Sequence, residues 1–123
     1  MTTEQIYEHV SFDRPDEVRQ GDNWRLELVN LAGEVQVGRI TLQPGWKWSN
    51  DVKPVAGTDL CMAPHQQYQL SGRIHLVMAD GTEEDFGPGD VASVPPGHDA
   101  WVVGDEPVVA IDWQGASVWA RGH

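Results

Sequence analysis

The sequence contains a single cysteine, Cys61, so no disulfide can form within the chain. A lone thiol does not decide the redox compartment, although it is compatible with a reducing one. Lysine is scarce as well: Lys47 and Lys53 are the only two, and they share one segment. Basic residues number 8 against 19 acidic ones, for a formal net charge of -11. That balance repels both a phosphate backbone and an anionic lipid surface, so neither nucleic acid nor a membrane is expected as a partner. Its plainest reading is a solvated acidic surface. No apolar run reaches the roughly 18 residues of a membrane-crossing helix. Met1 to Val10 is polar and carries Glu4 and Glu8. It lacks the basic start and apolar stretch of a secretory signal, and the expected location is the cytoplasm. Two catalytic signatures are missing too. Gly87-Pro88-Gly89 does not open a helix as a phosphate loop would, and Ser93 lacks the Gly-x-Ser-x-Gly setting of a nucleophile elbow.

Long helical periodicity, internal repeats and linkers are also absent, and 123 residues fit one domain. What recurs is short apolar or alternating runs cut by Gly, Pro, Asn and Asp. Trp24, Leu26 and Leu28 alternate with Arg25, Glu27 and Asn30, and Val35, Val37, Ile40 and Leu42 continue the pattern up to the Pro44-Gly45 turn. Trp46 to Pro54 reads as an irregular loop. Tyr68 to Met78 reads as two extended stretches broken at Ser71-Gly72. Asp80-Gly81 is a hairpin dipeptide, with Thr82 to Phe86 as the returning strand. Val91 to Val94, His98 to Val103 and Val108 to Trp113 complete the strands. Thr2 to Asp16 has room for a short helix or an edge segment, and Ser117 to His123 shows no period. Short strands at this spacing, with turn signals between them, predict an all-β sandwich or barrel.

At Gly89-Asp90-Val91-Ala92-Ser93-Val94-Pro95-Pro96-Gly97 the chain resembles the second motif of the cupins, in which a glycine, five residues, a proline, any residue and a glycine follow one another. Upstream, Tyr68-Gln69-Leu70-Ser71-Gly72-Arg73-Ile74-His75-Leu76 is similar to the strand pair that closes the first motif. The resemblance runs from about Val37 to Trp113, within a single domain over residues 1–123. It is greatest to small stand-alone bacterial cupins that carry a Pro-Pro-Gly-His-Asp-Ala-Trp segment, most of them of unassigned function. It implies a double-stranded β-helix, or jelly roll, that is often a homodimer with a pocket in the barrel mouth. In many members that pocket holds one divalent metal through a His-x-His pair, a glutamate and a later histidine. Here the glutamate place, seven residues before Gly72, is His65. The His-x-His places fall on Asp59 and Cys61. The later histidine place, three after Gly97, is Ala100, while His98 stands one after it.

These positions make His65, His98 and Cys61 candidate ligands for one divalent transition metal, Zn, Fe, Mn, Ni or Cu, and His75, three residues after Gly72 on the following strand, joins them if its face is inward. Such ions take neutral imidazoles, thiolates or carboxylates that converge. His98 and Ala100 are two apart, so on a strand they share a face, and the exchanged imidazole stays in the same cavity. Each residue also has an ordinary reading. Cys61 serves as a small buried hydrophobe, and His65 and His98 as hydrogen-bonded pocket histidines. His75 fits a plain strand residue, and Asp59 a turn residue. Asp59 and Cys61 would share a face if their segment were extended. Trp46, Trp48, Tyr68 and His98 are the candidate pocket residues. Trp46 and Trp48 flank Lys47, so an extended segment would put both rings on one side, either to stack on a ligand or to cover the barrel end. Trp24 and Trp113 read as core, and Trp101 as facing away from the pocket. The expected function is a metal-dependent cupin enzyme acting on a small organic molecule, as an oxygenase, an isomerase or a hydrolase/lyase. The alternative is a non-catalytic module that binds or senses a small molecule.

Overall fold

The alternating runs become strands. The computed structural model describes residues 7–114 and Trp119. Nine strands follow in chain order: β1 (Glu17–Gly21), β2 (Trp24–Leu31), β3 (Val35–Leu42), β4 (His65–Ser71), β5 (Arg73–Met78), β6 (Glu83–Phe86), β7 (Val91–Val94), β8 (His98–Val103) and β9 (Val108–Asp112). They form a six-stranded sheet in the order β1-β2-β3-β9-β4-β7 and a three-stranded sheet in the order β6-β5-β8. Every pairing is antiparallel. Because consecutive strands cross between the sheets, the architecture is the all-β jelly roll expected from the sequence.

Period-two alternation decides which side chains enter the barrel. Trp24, Leu26 and Leu28 of β2, Ile40 and Leu42 of β3, Ile74 and Leu76 of β5, Ala100 and Val102 of β8 and Val108 of β9 are buried together between the sheets. Burying an aliphatic side chain of this kind contributes about 1.5–3 kcal/mol, so these facing rows hold the two sheets together. The turn at Gly72 joins β4 to β5 and sends the chain from one sheet to the other. Its φ is 72°, and a Cβ there would lie 2.6 Å from the Pro107 carbonyl oxygen. Only glycine fits both the left-handed backbone and that close approach.

Three elements differ from the sequence reading. Trp46 to Pro54 is not a plain loop: α1 (Trp48–Asp51) and α2 (Lys53–Ala56) are single helical turns within it and just beyond. Pro54 stands in the first turn of α2, where its missing N–H is no loss, and Gly57 ends that turn at φ 76°. One turn is too short to leave a helical period in the sequence. Among the described residues of the N-terminal segment there is no helix, and the edge strand β1 begins just past Asp16. Trp113, expected in the core, is 46% exposed, because Val108, Ala110 and Asp112 take the inward steps of β9 and the next residue falls on the outer side. The reading of Ser117 to His123 falls outside the described residues except at Trp119, which is buried.

Candidate metal centre

His65 opens β4 on an inward position, and His98 opens β8 on an inward position of the facing sheet. Their ring centroids are 5.4 Å apart. Cys61 reaches the same place by a different route. It forms an isolated bridge with His98, in which the Cys61 N–H donates to the His98 carbonyl at 2.7 Å and the Cys61 carbonyl accepts from the His98 N–H at 3.3 Å. The bridge sets the two side chains next to each other. Cys61 Sγ lies 4.0 Å from His65 Nε2. One ligand atom from each of Cys61, His65 and His98 lies within 4.8 Å of the others, and all three residues are buried.

Asp112, the last residue of β9, pairs in register with Gln67, one inward position along from His65. Its side chain is fully buried, and its Oδ2 lies 2.5 Å from His65 Nδ1. A carboxylate only accepts, so the hydrogen sits on Nδ1 and the Nε2 lone pair of His65 is left toward Cys61. The backbone N–H of Gln114 donates to the other oxygen of Asp112 at 2.9 Å and fixes the carboxylate. His98 is oriented in the same sense, with Nδ1–H donating to the Pro95 carbonyl at 2.8 Å. Burial first, and the nearby His65 second, push His98 down to about 4. It is therefore a neutral imidazole at neutral pH, with Nε2 as its free donor atom. Burial pushes the Cys61 thiol up to about 11, helped by the charge of Asp112. An ion taken up here has to displace that thiol proton.

The donors suit a transition metal. Zinc bonds of about 2.0–2.3 Å at tetrahedral angles put ligand atoms roughly 3.3–3.8 Å apart, so the three atoms need only small rotations to close on one ion. A histidine whose second nitrogen is held by a carboxylate is the usual support behind a metal-bound imidazole. Three protein donors are one fewer than a closed structural zinc site carries and match the count of catalytic ones.

Beside this cluster lies a cavity that offers about 50 Å³ to the centre of a water molecule. His65, His98, Trp46, Trp48, Trp119 and Gln67 contribute to its wall, with aliphatic side chains from both sheets. Ala100 lines it too, so His98 and the place two residues on do share one face. Trp46 and Trp48 both reach the cavity, although Trp48 begins a helical turn.

Other expected residues lie elsewhere. His75 alternates with the inward Ile74 and Leu76 and therefore faces outside. There its Nδ1 meets Asp85 at 2.5 Å, its Nε2 meets Glu83 at 2.7 Å, and its ring packs on Trp101. It does not join the buried cluster. Trp101 faces away from the pocket, as its odd spacing from His98 predicts. Tyr68 sits on an outward position of β4, 39% exposed, and does not line the cavity. The Asp59 side chain is fully exposed beside Lys53, because its segment bends instead of running as a strand. Asp112 was not foreseen. Its signal was an acid at an inward step of an apolar alternation, after Val108 and Ala110.

No protein-family model matches the chain, and no curated protein sequence matches it. Solved structures do. An RmlC-like cupin from Shewanella frigidimarina is 18% identical, with a TM-score of 0.59 over 91% of this chain and 95% of that one. A protein of unknown function from Acinetobacter is 16% identical, with a TM-score of 0.55 over 85% of this chain and 99% of that one. The oxalate decarboxylase of Lactobacillus farciminis is 15% identical, with a TM-score of 0.59 over 84% of this chain, which spans only 32% of the decarboxylase. At such identities the likeness is one of fold: this chain is built as a cupin barrel.

Proposed function

We propose that the protein is a metal-dependent cupin enzyme acting on a small organic molecule held in its barrel. The observation that supports this reading is the convergence of Cys61, His65 and His98 in a buried site, with His65 backed by Asp112. Cys61 Sγ, His65 Nε2 and His98 Nε2 would hold the ion. A divalent ion bound there would supply Lewis acidity to a carbonyl or to water beside the cavity. The chain's own residues orient the donors, and burial keeps His98 neutral, with its Nε2 lone pair turned to the ion and its Nδ1–H held by the Pro95 carbonyl. Whether the enzyme is an oxygenase, an isomerase, a hydrolase or a lyase depends on the substrate and does not follow from the fold.

Elemental analysis of purified protein tests the proposal. Near-stoichiometric Zn, Fe, Mn, Ni or Cu is expected, and His65→Ala or His98→Ala should abolish it, because so small a ligand set tolerates no loss. Protein that emerges empty and takes up none of these ions on dialysis would sink it. One observation favours a second reading, a non-catalytic binding module. Apart from the two histidines, no titratable side chain lines the cavity among the described residues. An empty protein that still binds small molecules would support that module.

A further inference from the structure

We propose that Gln67 is the specificity-determining residue of the cavity, and that its carboxamide selects a small uncharged molecule with an amide or alcohol group at one end. The inference rests on the reading of the barrel as a metal-dependent small-molecule site and adds the class of molecule and the residue that reads it.

Three glutamines stand on β4, and two of them are engaged. Gln66, on the outer face, donates to the Ser93 hydroxyl at 2.6 Å, and Gln69 donates to the Gly72 carbonyl at 2.7 Å and to the Phe86 carbonyl at 3.2 Å. Gln67 takes an inward position, paired with Asp112 on one side and Ala92 on the other. It lines the cavity, and its carboxamide makes no hydrogen bond among the described residues. Nor is the group closed off: the buried side-chain atoms without a partner among the described residues are Trp46 Nε1 and Gln69 Oε1. Gln67 and Phe86 are the half-buried members of the described wall, and the rest of it is buried. The Gln67 carboxamide is therefore open on the inner side of the sheet, where the cavity meets solvent.

His65 and Gln67 are two residues apart on one strand, so about 6–7 Å separates them along the same face. A molecule with one end beside the Cys61, His65 and His98 donors thus brings an atom a few bonds away to Gln67. The space open to water centres, about 50 Å³, corresponds to roughly four waters, room for about six non-hydrogen atoms, which suits that spacing. The wall sets the charge. Among the described residues it contains no Lys, Arg, Asp or Glu, so a carboxylate would lose its water and find no cationic side chain in return. A divalent ion would not change that balance, because its two positive charges would face the Cys61 thiolate and the Asp112 carboxylate behind His65. A carboxamide accepts through Oε1 and donates through Nε2. Its full complement is a neutral group that also does both, with a short hydrocarbon body against Ile74, Leu76 and Trp48. A carboxylate only accepts and would leave Oε1 unpaired.

The test uses nitrogen-15-labelled full-length protein and three probes of similar size: cyclopropanecarboxamide, cyclopropanecarboxylate and cyclopentane. Binding is read on the backbone N–H of Ala110, in the wall, and on the Gln67 side-chain NH2 pair, assigned through its own backbone. Cyclopropanecarboxamide is expected to shift both saturably, and cyclopropanecarboxylate to bind at least about tenfold more weakly. Gln67→Met keeps the length and removes both polar atoms. It should lower the preference for the carboxamide over cyclopentane about five- to thirtyfold, the effect of two lost hydrogen bonds. A merely structural role would weaken both probes alike and leave the preference unchanged. An unchanged preference overturns the proposal, as does a carboxylate that binds as well as the amide, or an amide that gives no saturable shift. Should Gln67→Met fail to fold, the parent decides: a shifted NH2 pair supports the contact, and a pair that stays still while Ala110 moves overturns it. Running the titrations on zinc-loaded and on chelator-treated protein separates the two readings. Zinc uptake with an unchanged preference in Gln67→Met defeats the selecting role alone, whereas amide selection by a protein that takes up none of Zn, Fe, Mn, Ni or Cu defeats the metal reading alone.

Discussion

Asp112 illustrates how much of a site can depend on a residue that would touch neither ion nor ligand. Its carboxylate fixes the hydrogen of His65 on Nδ1, and that choice leaves Nε2 free beside Cys61. Asp112→Asn keeps the shape and an accepting oxygen but removes the charge. The variant is expected to bind zinc about 10–100-fold more weakly, while its near-ultraviolet circular dichroism stays that of the parent. A chelator competition that gives equal zinc affinities would rule out the positioning role. At this scale the site was only half legible in the sequence. His65 and His98 could be placed because cupin spacing points to them and strand parity shares out the faces. Asp112 was passed over: its inward step after Val108 and Ala110 marks it as facing the barrel, but that it meets His65 follows only from the register opposite Gln67. His75 misled for the converse reason: one step of parity separates the cavity from the solvent.

The strands were legible because turn residues punctuate them. Val91–Val94 and His98–Val103 run between Gly and Pro signals, and the structure keeps those bounds. The edge strand β1 and the two helical turns left no such mark, one lacking apolar alternation and the others being too short for a period. Gly72 is the turn on which the β4–β5 crossing depends. Gly72→Ala would drive a Cβ to 2.6 Å from the Pro107 carbonyl and into a left-handed backbone, and is expected to lower stability by about 2–4 kcal/mol. Gly33 has a similar φ of 80° with nothing near its Cβ position, so Gly33→Ala should lose only about 1–2 kcal/mol. Equal losses in urea titrations would remove the close approach as the cause. On the outer face of the three-stranded sheet, His75 lies between Asp85 and Glu83, whose hydrogen bonds raise its pKa. Trp101 packs against its ring at a tilt of 41°, and Lys47 lies over Trp101. The folded-state pKa is the raised one. The stabilisation is therefore complete below the ordinary histidine value of about 6.5 and fades as pH climbs through the folded value. The melting-temperature gap between the parent and His75→Gln should narrow on going from mildly acidic to alkaline buffer. A gap that is constant with pH would show that His75 does not act through its charge.

Across the whole molecule, the donor set links parts of the chain that are far apart in sequence. His65 belongs to β4 and Asp112 to β9 of the six-stranded sheet, His98 belongs to β8 of the other sheet, and Cys61 lies in the segment that leads into β4. Only the folded barrel brings the three donors together, so a divalent ion binds the native state far better than the unfolded chain. Mass action then converts affinity into stability: zinc at a hundred times its dissociation constant adds about 2.7 kcal/mol. For a domain of this size that is a rise of roughly 10 °C in melting temperature. Cys61→Ser distinguishes a ligand from a plain core thiol. If Cys61 is only packing, the variant melts lower, yet gains as much from zinc as the parent does. If it is a ligand, most of the zinc-induced rise disappears, because a neutral hydroxyl is a poor substitute for a thiolate. Calorimetry of both proteins with and without zinc measures the difference directly. A chelator-treated parent protein whose melting temperature moves in an excess of none of Zn, Fe, Mn, Ni or Cu would mean that the buried Cys61, His65 and His98 are packed against one another for the barrel's sake and for no ion.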